Sequence, residues 1–226
     1  MLQSAHKKKS ETMQKHRAIY TDIVLIDIIS FSKLNLYQQV EIVTFLTKSF
    51  QKVIKKMLAS SHMKTFHLIE GFISTGDGFY CILNPKFKGY GAILALSFSH
   101  FAEHIAKKYS YFNGIKIAVH TGYIHSFTDI LDNTNFIGDG LNDCARFLEY
   151  KHYAISTVMI SESAYEHLNK FLNRHKDYEQ LLAQMGFKHS SAYTFFDKHQ
   201  KEKKGYLIWL RKSGIIIPPK IYFQGN

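Results

Sequence analysis

The segment from Ile23 to Leu34, Ile-Val-Leu-Ile-Asp-Ile-Ile-Ser-Phe-Ser-Lys-Leu, constrains this chain's fold more than any other part of it. Its first half is a near-continuous apolar run, the composition of a strand buried on both faces. One carboxylate, Asp27, breaks that run. An Asp in such a strand is costly unless a cation or a hydrogen-bond network meets it. After Ser30-Phe31-Ser32 an amphipathic helical pattern follows, carried by Leu34, Tyr37, Val40, Ile42, Val43, Leu46, Phe50, Val53, Ile54 and Met57. A strand end bearing an acid, a tight turn and then a helix start can hold metal and phosphate together. Taken alone, Asp27 is equally readable as a cap for the turn or the helix.

With 226 residues, 46% of them hydrophobic and 21% charged, the chain can bury the core of one globular domain. Residues 1–17 are polar and basic and expected to be frayed, 18–212 form the domain, and 213–226 read as a tail. The last residues, Ile-Tyr-Phe-Gln-Gly-Asn, partly resemble the remnant of an engineered protease site rather than a functional element. The formal net charge of +11 invites a nucleic-acid reading. The lysines are scattered, however, and no zinc-finger spacing, basic zipper or aromatic RNA-binding motif accompanies them. The charge reads as solvated faces with attraction for a polyanionic small molecule. No apolar run reaches the roughly 18 residues of a membrane span, and no secretory signal is visible. Cys81 and Cys144 are far apart and outside any Cys-x-x-Cys spacing, so a reduced cytoplasm is the simplest expectation.

Periodicity predicts a first strand over 18–29 and a long helix over 38–59, then a short strand over 65–69. Gly76-Asp77-Gly78 is a hairpin turn signal between strands on either side. Further on come a loop over 85–91, a helix over 92–109, strands over 115–121 and through Ile124, and a polar loop over 127–135. The chain continues with a helix over 141–150, a strand over 158–161, a helix over 162–172 capped by Ser161, and a last strand over 206–210. Residues 173–204 are charged and give no clear pattern. This order predicts α+β architecture, an antiparallel or mixed sheet covered by helices. If the strands of Asp27 and Asp77 are neighbours, both carboxylates meet at one sheet edge, as pairs that hold two divalent ions for phosphoryl transfer do.

Four blocks, in order over about residues 18–170, resemble the class III nucleotide cyclases, the adenylate and guanylate cyclase catalytic domain. They are Asp27-Ile28-Ile29-Ser30-Phe31-Ser32, Gly76-Asp77-Gly78-Phe79, Ile117-Ala118-Val119-His120-Thr121-Gly122, and Gly138-Asp139-Gly140-Leu141-Asn142-Asp143-Cys144-Ala145-Arg146. The stretch Val158 to Tyr165 is a weaker fifth. The resemblance implies a ferredoxin-like, palm-type sheet. It implies that Asp27, Asp77 and the Ile28 carbonyl hold two divalent metal ions, Mn²⁺ or Mg²⁺. It implies that the turn Ile29, Ser30, Phe31 and Ser32 binds phosphate. Asn142 would orient the ribose, and Arg146 would stabilise charge on the phosphoryl group in the transition state. It implies a homodimer with shared sites, the acids from one subunit and Asn142 and Arg146 from the other.

The chain departs from the family where the base is read. Ile73 stands where adenylate cyclases commonly carry Lys and guanylate cyclases Glu, and Asn135 stands where adenylate cyclases commonly carry Asp. An Ile side chain can neither donate to nor accept from a purine edge. The triphosphate-binding Lys has no secure match, with Lys203 and Lys204 as candidates. His120 reads as a packed strand histidine, Asp139 as helix-start chemistry, and Asp22 as facing away from Asp27. The expected activity is conversion of a nucleoside triphosphate to a 3′,5′-cyclic nucleotide and pyrophosphate. The altered pocket resembles that of bacterial pyrimidine cyclases of antiphage defence, which act on CTP or UTP and whose product an effector protein reads. An adenylate cyclase with a non-standard pocket, or a cyclase-fold binding module without catalysis, are the alternatives.

Overall fold

The computed structural model describes residues 18–59, 68–149 and 157–212. The basic N-terminus, the C-terminal tail, Thr65 to His67 of the predicted short strand and the Tyr150 end of the predicted helix lie outside them. The first strand, β1 (Ala18–Ile28), is the centre of the architecture. It pairs antiparallel with β3 (Gly78–Leu83) on one side and with β4 (Ile115–Thr128) on the other. β2 (Ile69–Ser74) pairs with β3. β6 (Val158–Ser161) lies parallel to β4, and β9 (Glu202–Trp209) antiparallel to β6. The order is β2-β3-β1-β4-β6-β9-β7, with β5 (Thr134–Ile137) added to β4, and β8 (Tyr193–Phe196) and the short β7 (Lys188–His189) both paired to β9. This is a mixed α+β sheet, as the element order predicts.

Alternation along β1 splits the core in two. Val24, Ile26 and Ile28 enter a cluster with α1 (Leu36–Ala59) and α2 (Tyr90–Lys108). Ile19, Ile23 and Leu25 enter a second cluster under α3 (Asp139–Leu148), with Cys144, Phe147 and Phe136. Both faces of β1 are therefore apolar, which explains the uninterrupted run in the sequence. Asp27 belongs to the α3 face by the same alternation and Asp22 to the opposite one. Asp22, 1% exposed, accepts the N–H groups of Gly89 (2.7 Å) and Gly91 (3.0 Å) and the Thr121 hydroxyl (2.7 Å). It thus caps α2 from a neighbouring strand, at a helix start whose own Gly89 offers no side chain. A Cβ on Gly91 would stand 2.7 Å from that of Asp22, so the contact requires glycine.

Several sequence expectations are corrected. Residues 115–128 form one 14-residue strand instead of two, because Gly122 serves helix packing and not a break. A Cβ there would come within 3.0 Å of the Gly140 Cα. The polar loop over 127–135 is in fact a hairpin: β4 runs to Thr128, and Asn135 lies in β5 opposite Phe127. Its turn is held by the Asp129 carboxylate, which accepts from Leu131 and Asn133 N–H. Within the loop over 85–91, Pro85–Phe87 form a 3-10 turn, and α2 already begins at Tyr90. Leu68 is helical and buried, with β2 beginning at Ile69. The unpatterned stretch after α4 (Glu162–Arg174) holds α5 (Lys176–Gln184), β7 and β8. Ser161 caps α4 as expected, its hydroxyl accepting from Ala164 N–H at 3.2 Å.

Candidate active site

β1 and the β2–β3 hairpin bring Asp27 and Asp77 together. Asp27 lies opposite Gly78 in the β1–β3 register, and the Ile28 N–H donates to the Asp77 carbonyl at 3.0 Å. Gly78 permits this approach, since a Cβ there would sit 1.9 Å from the Ile26 carbonyl oxygen. The two carboxylates lie close enough to interact strongly, and two like charges at such range repel. Burial, then the charge and nearness of Asp77, push Asp27 up to about 6, against the opposing pull of Lys116 across the strand. A half-buried carboxylate whose ionisation is disfavoured beside a second acid is one that a cation would relieve. Its hard oxygen donors suit Mg²⁺ or Mn²⁺. Among the described residues no group of three or more His, Cys, Asp or Glu side chains forms a metal cluster. The rest of a coordination shell would fall to backbone carbonyl, water and phosphate oxygens.

The turn after β1 is partly committed to the fold. Ile29 N–H donates to the Gly114 carbonyl at 3.0 Å. Ser30 adopts a left-handed φ of 59° and opens the short helical turn Phe31–Lys33. The carbonyls of Ser30 and Phe31 accept from Lys33 and Leu34, so the N–H groups of Ser30, Phe31 and Ser32 are the part of this turn available to an anion.

α3 carries Asn142 and Arg146. Gly140 lets it press onto the sheet, because a Cβ there would lie 2.8 Å from both Ile23 Cδ1 and the Tyr123 carbonyl. Asn142 is exposed. Arg146 is largely covered and turned toward the β8–β9 turn. Its Nη1 pairs with Asp143 and its Nε with Asp197 Oδ2 at 3.2 Å. Lys203 joins the same cluster, 2.8 Å from Asp143 Oδ1. Burial raises the Asp143 carboxyl, but Lys203, His120 and Arg146 outweigh it and hold it below the usual range. Lys204 points elsewhere, pairing with Glu162. Among the described residues no hydrogen bond or ion pair links Asp27 or Asp77 to Asn142 or Arg146. The structure gathers the acids in one place and Arg146 in another.

Ile73 is half-buried against the second core, which also contains Phe136. Asn135 turns its Oδ1 onto the N–H of Phe136 at 2.8 Å. Tyr80 lies opposite Ile73 in the β2–β3 register, and its hydroxyl reaches the Leu141 carbonyl at 3.4 Å, next to Asn142. Sequence reasoning missed Tyr80, although its place three residues after Asp77 puts it within reach of both. It also missed Asp197, for which no local motif exists. His120 is a packed histidine: its Nδ1 lies 2.9 Å from Ser161 Oγ, its ring stacks on Phe147, and burial pushes it down to about 4. Asp139 is exposed in the first turn of α3.

The sequence matches no family model and no curated protein. The structure does match solved ones. The guanylyl cyclase Cya2 aligns at a TM-score of 0.58 and 13% identity, over 90% of this chain and 98% of that one. The guanylate cyclase domain of RhGC from Catenaria anguillulae, solved with GTP, aligns at 0.55 and 15% identity, over 87% and 100%. A non-canonical dimeric guanylyl cyclase domain of the RhoGC fusion protein from the aquatic fungus Blastocladiella emersonii aligns at 0.55 and 15%, over 87% and 99%. The fold is that of the class III nucleotide cyclase catalytic domain. No helix among the described residues is long and apolar enough to cross a membrane.

Proposed function

We propose that the chain is a nucleotide cyclase that converts a nucleoside triphosphate to a 3′,5′-cyclic nucleotide and pyrophosphate. The observation that carries this reading is the Asp27–Asp77 pair, two half-buried carboxylates brought side by side where β1 meets the β2–β3 turn, within a cyclase fold. Asp27, Asp77 and the Ile28 carbonyl would hold two divalent ions. Bound there, these would lower the pKa of the ribose 3′-hydroxyl and neutralise triphosphate charge. The N–H groups of Ser30 to Ser32 bind phosphate oxygens at the start of a helical turn. Asn142 orients the ribose, and Arg146, with Lys203 beside it, meets charge on the phosphoryl group. A homodimer supplies both halves: among the described residues Arg146 pairs with Asp143 and Asp197, and no hydrogen bond or ion pair joins it to Asp27 or Asp77.

The finer reading is a pyrimidine substrate, CTP or UTP. Ile73 presents no hydrogen-bonding group to a base, and Asn135 spends its carbonyl oxygen on the next N–H of its own strand, so a charged purine-reading pair is missing. By the same resemblance the product is a messenger in antiviral defence, read by an effector protein. The test supplies purified protein with each of ATP, GTP, CTP and UTP plus Mn²⁺ and identifies products by mass spectrometry. A cyclic pyrimidine nucleotide is expected. Cyclic AMP would replace the pyrimidine reading with an adenylate cyclase, and no cyclic product from any nucleotide would leave a binding module.

A further inference from the structure

Asp197 sits in the turn between β8 and β9, far in sequence from every block that marks the fold. Its residue exposure is 6%, and its side chain is wholly covered. Its two oxygens do different work. Oδ1 accepts the N–H groups of His199 (2.8 Å) and Lys201 (2.9 Å), which closes the turn. Oδ2 is buried, makes no hydrogen bond of good geometry, and lies 3.2 Å from Arg146 Nε. Burial raises the carboxyl, but the two turn N–H groups, Arg146 and Lys203 outweigh it and hold it below the usual range, so it stays ionised. Asp143 differs. It is more open, at 23% side-chain exposure, and its Oδ1 is shared by Arg146 Nη1 and Lys203. An incoming anion can therefore displace Asp143 from the front of the guanidinium, while Asp197 grips Nε from the protein side.

We propose that Asp197 is a positioning residue: its buried Oδ2 fixes Arg146 through Nε, leaving the outer guanidinium edge for the substrate's phosphoryl group. This rests on the reading of Arg146 as a catalytic residue. An arginine held by a buried carboxylate keeps its planar fork aimed without reorganising during reaction, which is where preorganised charge gains its effect. A group that acts through Arg146 on the transition state should change kcat and leave KM nearly unchanged.

Asp197→Ala would destroy the turn, so the informative variant is Asp197→Asn. The amide oxygen retains the bonds to His199 and Lys201, while the amide NH₂ replaces the anion facing Arg146. With Mn²⁺, D197N is expected to lose roughly 10- to 100-fold in kcat with KM within about threefold, less than the roughly 100- to 1000-fold that loss of a direct donor produces, because Arg146 itself remains. The same change added to Arg146→Ala should cost nothing further, since the two act as a unit. A second readout is independent of turnover: the Arg146 Nε–H NMR resonance should be slow to exchange with solvent in the wild-type chain and fast in D197N. D197N with wild-type kcat, equal losses in D197N on both backgrounds, or unchanged exchange at Nε would each overturn the positioning role. Wild-type activity in R146A would instead overturn the catalytic reading beneath it.

Discussion

Replacing Asp27 with Asn should make the metal-free protein more stable at neutral pH. The two carboxylates of the site are half-buried and adjacent, and Asp27 is pushed from 3.8 up to about 6 by burial and by Asp77. In the folded state this group holds its proton more tightly than in the unfolded chain. Its contribution therefore favours the fold at low pH and is lost as pH rises through the window from 3.8 to about 6. A tenfold difference in proton affinity between the two states corresponds to about 1.4 kcal/mol, which sets a ceiling of about 3 kcal/mol. Solvent reaches the pair, so screening reduces this to about 1 kcal/mol. For a chain of this size that is roughly 2–4 °C in Tm. The assay is thermal unfolding of wild type and Asp27→Asn at pH 4 and pH 7.5, in chelator and in millimolar Mn²⁺. In chelator the variant should melt about 2–4 °C higher at pH 7.5, and the gap should close toward pH 4. In Mn²⁺ the order should reverse, because the ion stabilises only a chain that binds it, by about 2.7 kcal/mol at a hundredfold excess over Kd. A variant no more stable than wild type in chelator at pH 7.5 would refute the repulsion argument. Equal stabilisation of both chains by Mn²⁺ would refute Asp27 as a metal ligand.

Two further outcomes test the site's assembly and its specificity. Asp27→Ala and Arg146→Ala should each keep only a small residual activity, yet mixing them should restore roughly a quarter of wild-type activity, because about half the dimers are mixed and each carries one intact site of two; a mixture no more active than its components, with proven subunit exchange, would place the site within one chain. Ile73→Lys with Asn135→Asp should raise relative use of ATP in competition assays, and an unchanged preference in a variant that still turns over would break the assignment of those two positions to the base pocket.

Much of the fold is legible from local pattern. The apolar run of β1, the Gly76-Asp77-Gly78 turn and the amphipathic helices each carry their own period, and the observed β1, β2–β3 hairpin, α1 and α2 follow it within a few residues. The errors fall where the deciding partner is distant. Gly122 reads as a break because glycine usually is one, but here its missing side chain admits α3 at Gly140. β5 reads as a loop because Asn135 and Thr134 are polar, yet backbone pairing to β4 makes it a strand. β8 has no internal signal, and its place is set by pairing to β9.

The candidate site divides along the same line. Sequence alone determined that Asp27 ends a buried strand, that Asp77 occupies a hairpin turn, and that Asn142 and Arg146 share a helix four residues apart. These are short-range facts, set by periods of two and 3.6 residues. Only the tertiary structure decided that Asp27 meets Gly78 across the β1–β3 register, so that the two acids lie side by side. Only it separated Lys203 from Lys204, since adjacent strand residues face opposite sides and one reaches Asp143 while the other reaches Glu162. It alone brought Asp197 to Arg146, 51 positions earlier in the chain, because β9 reaches α3's side of the molecule through its pairing with β6, and β6 through its parallel pairing with β4. No local period encodes a contact of that kind; it exists only once the sheet order is fixed.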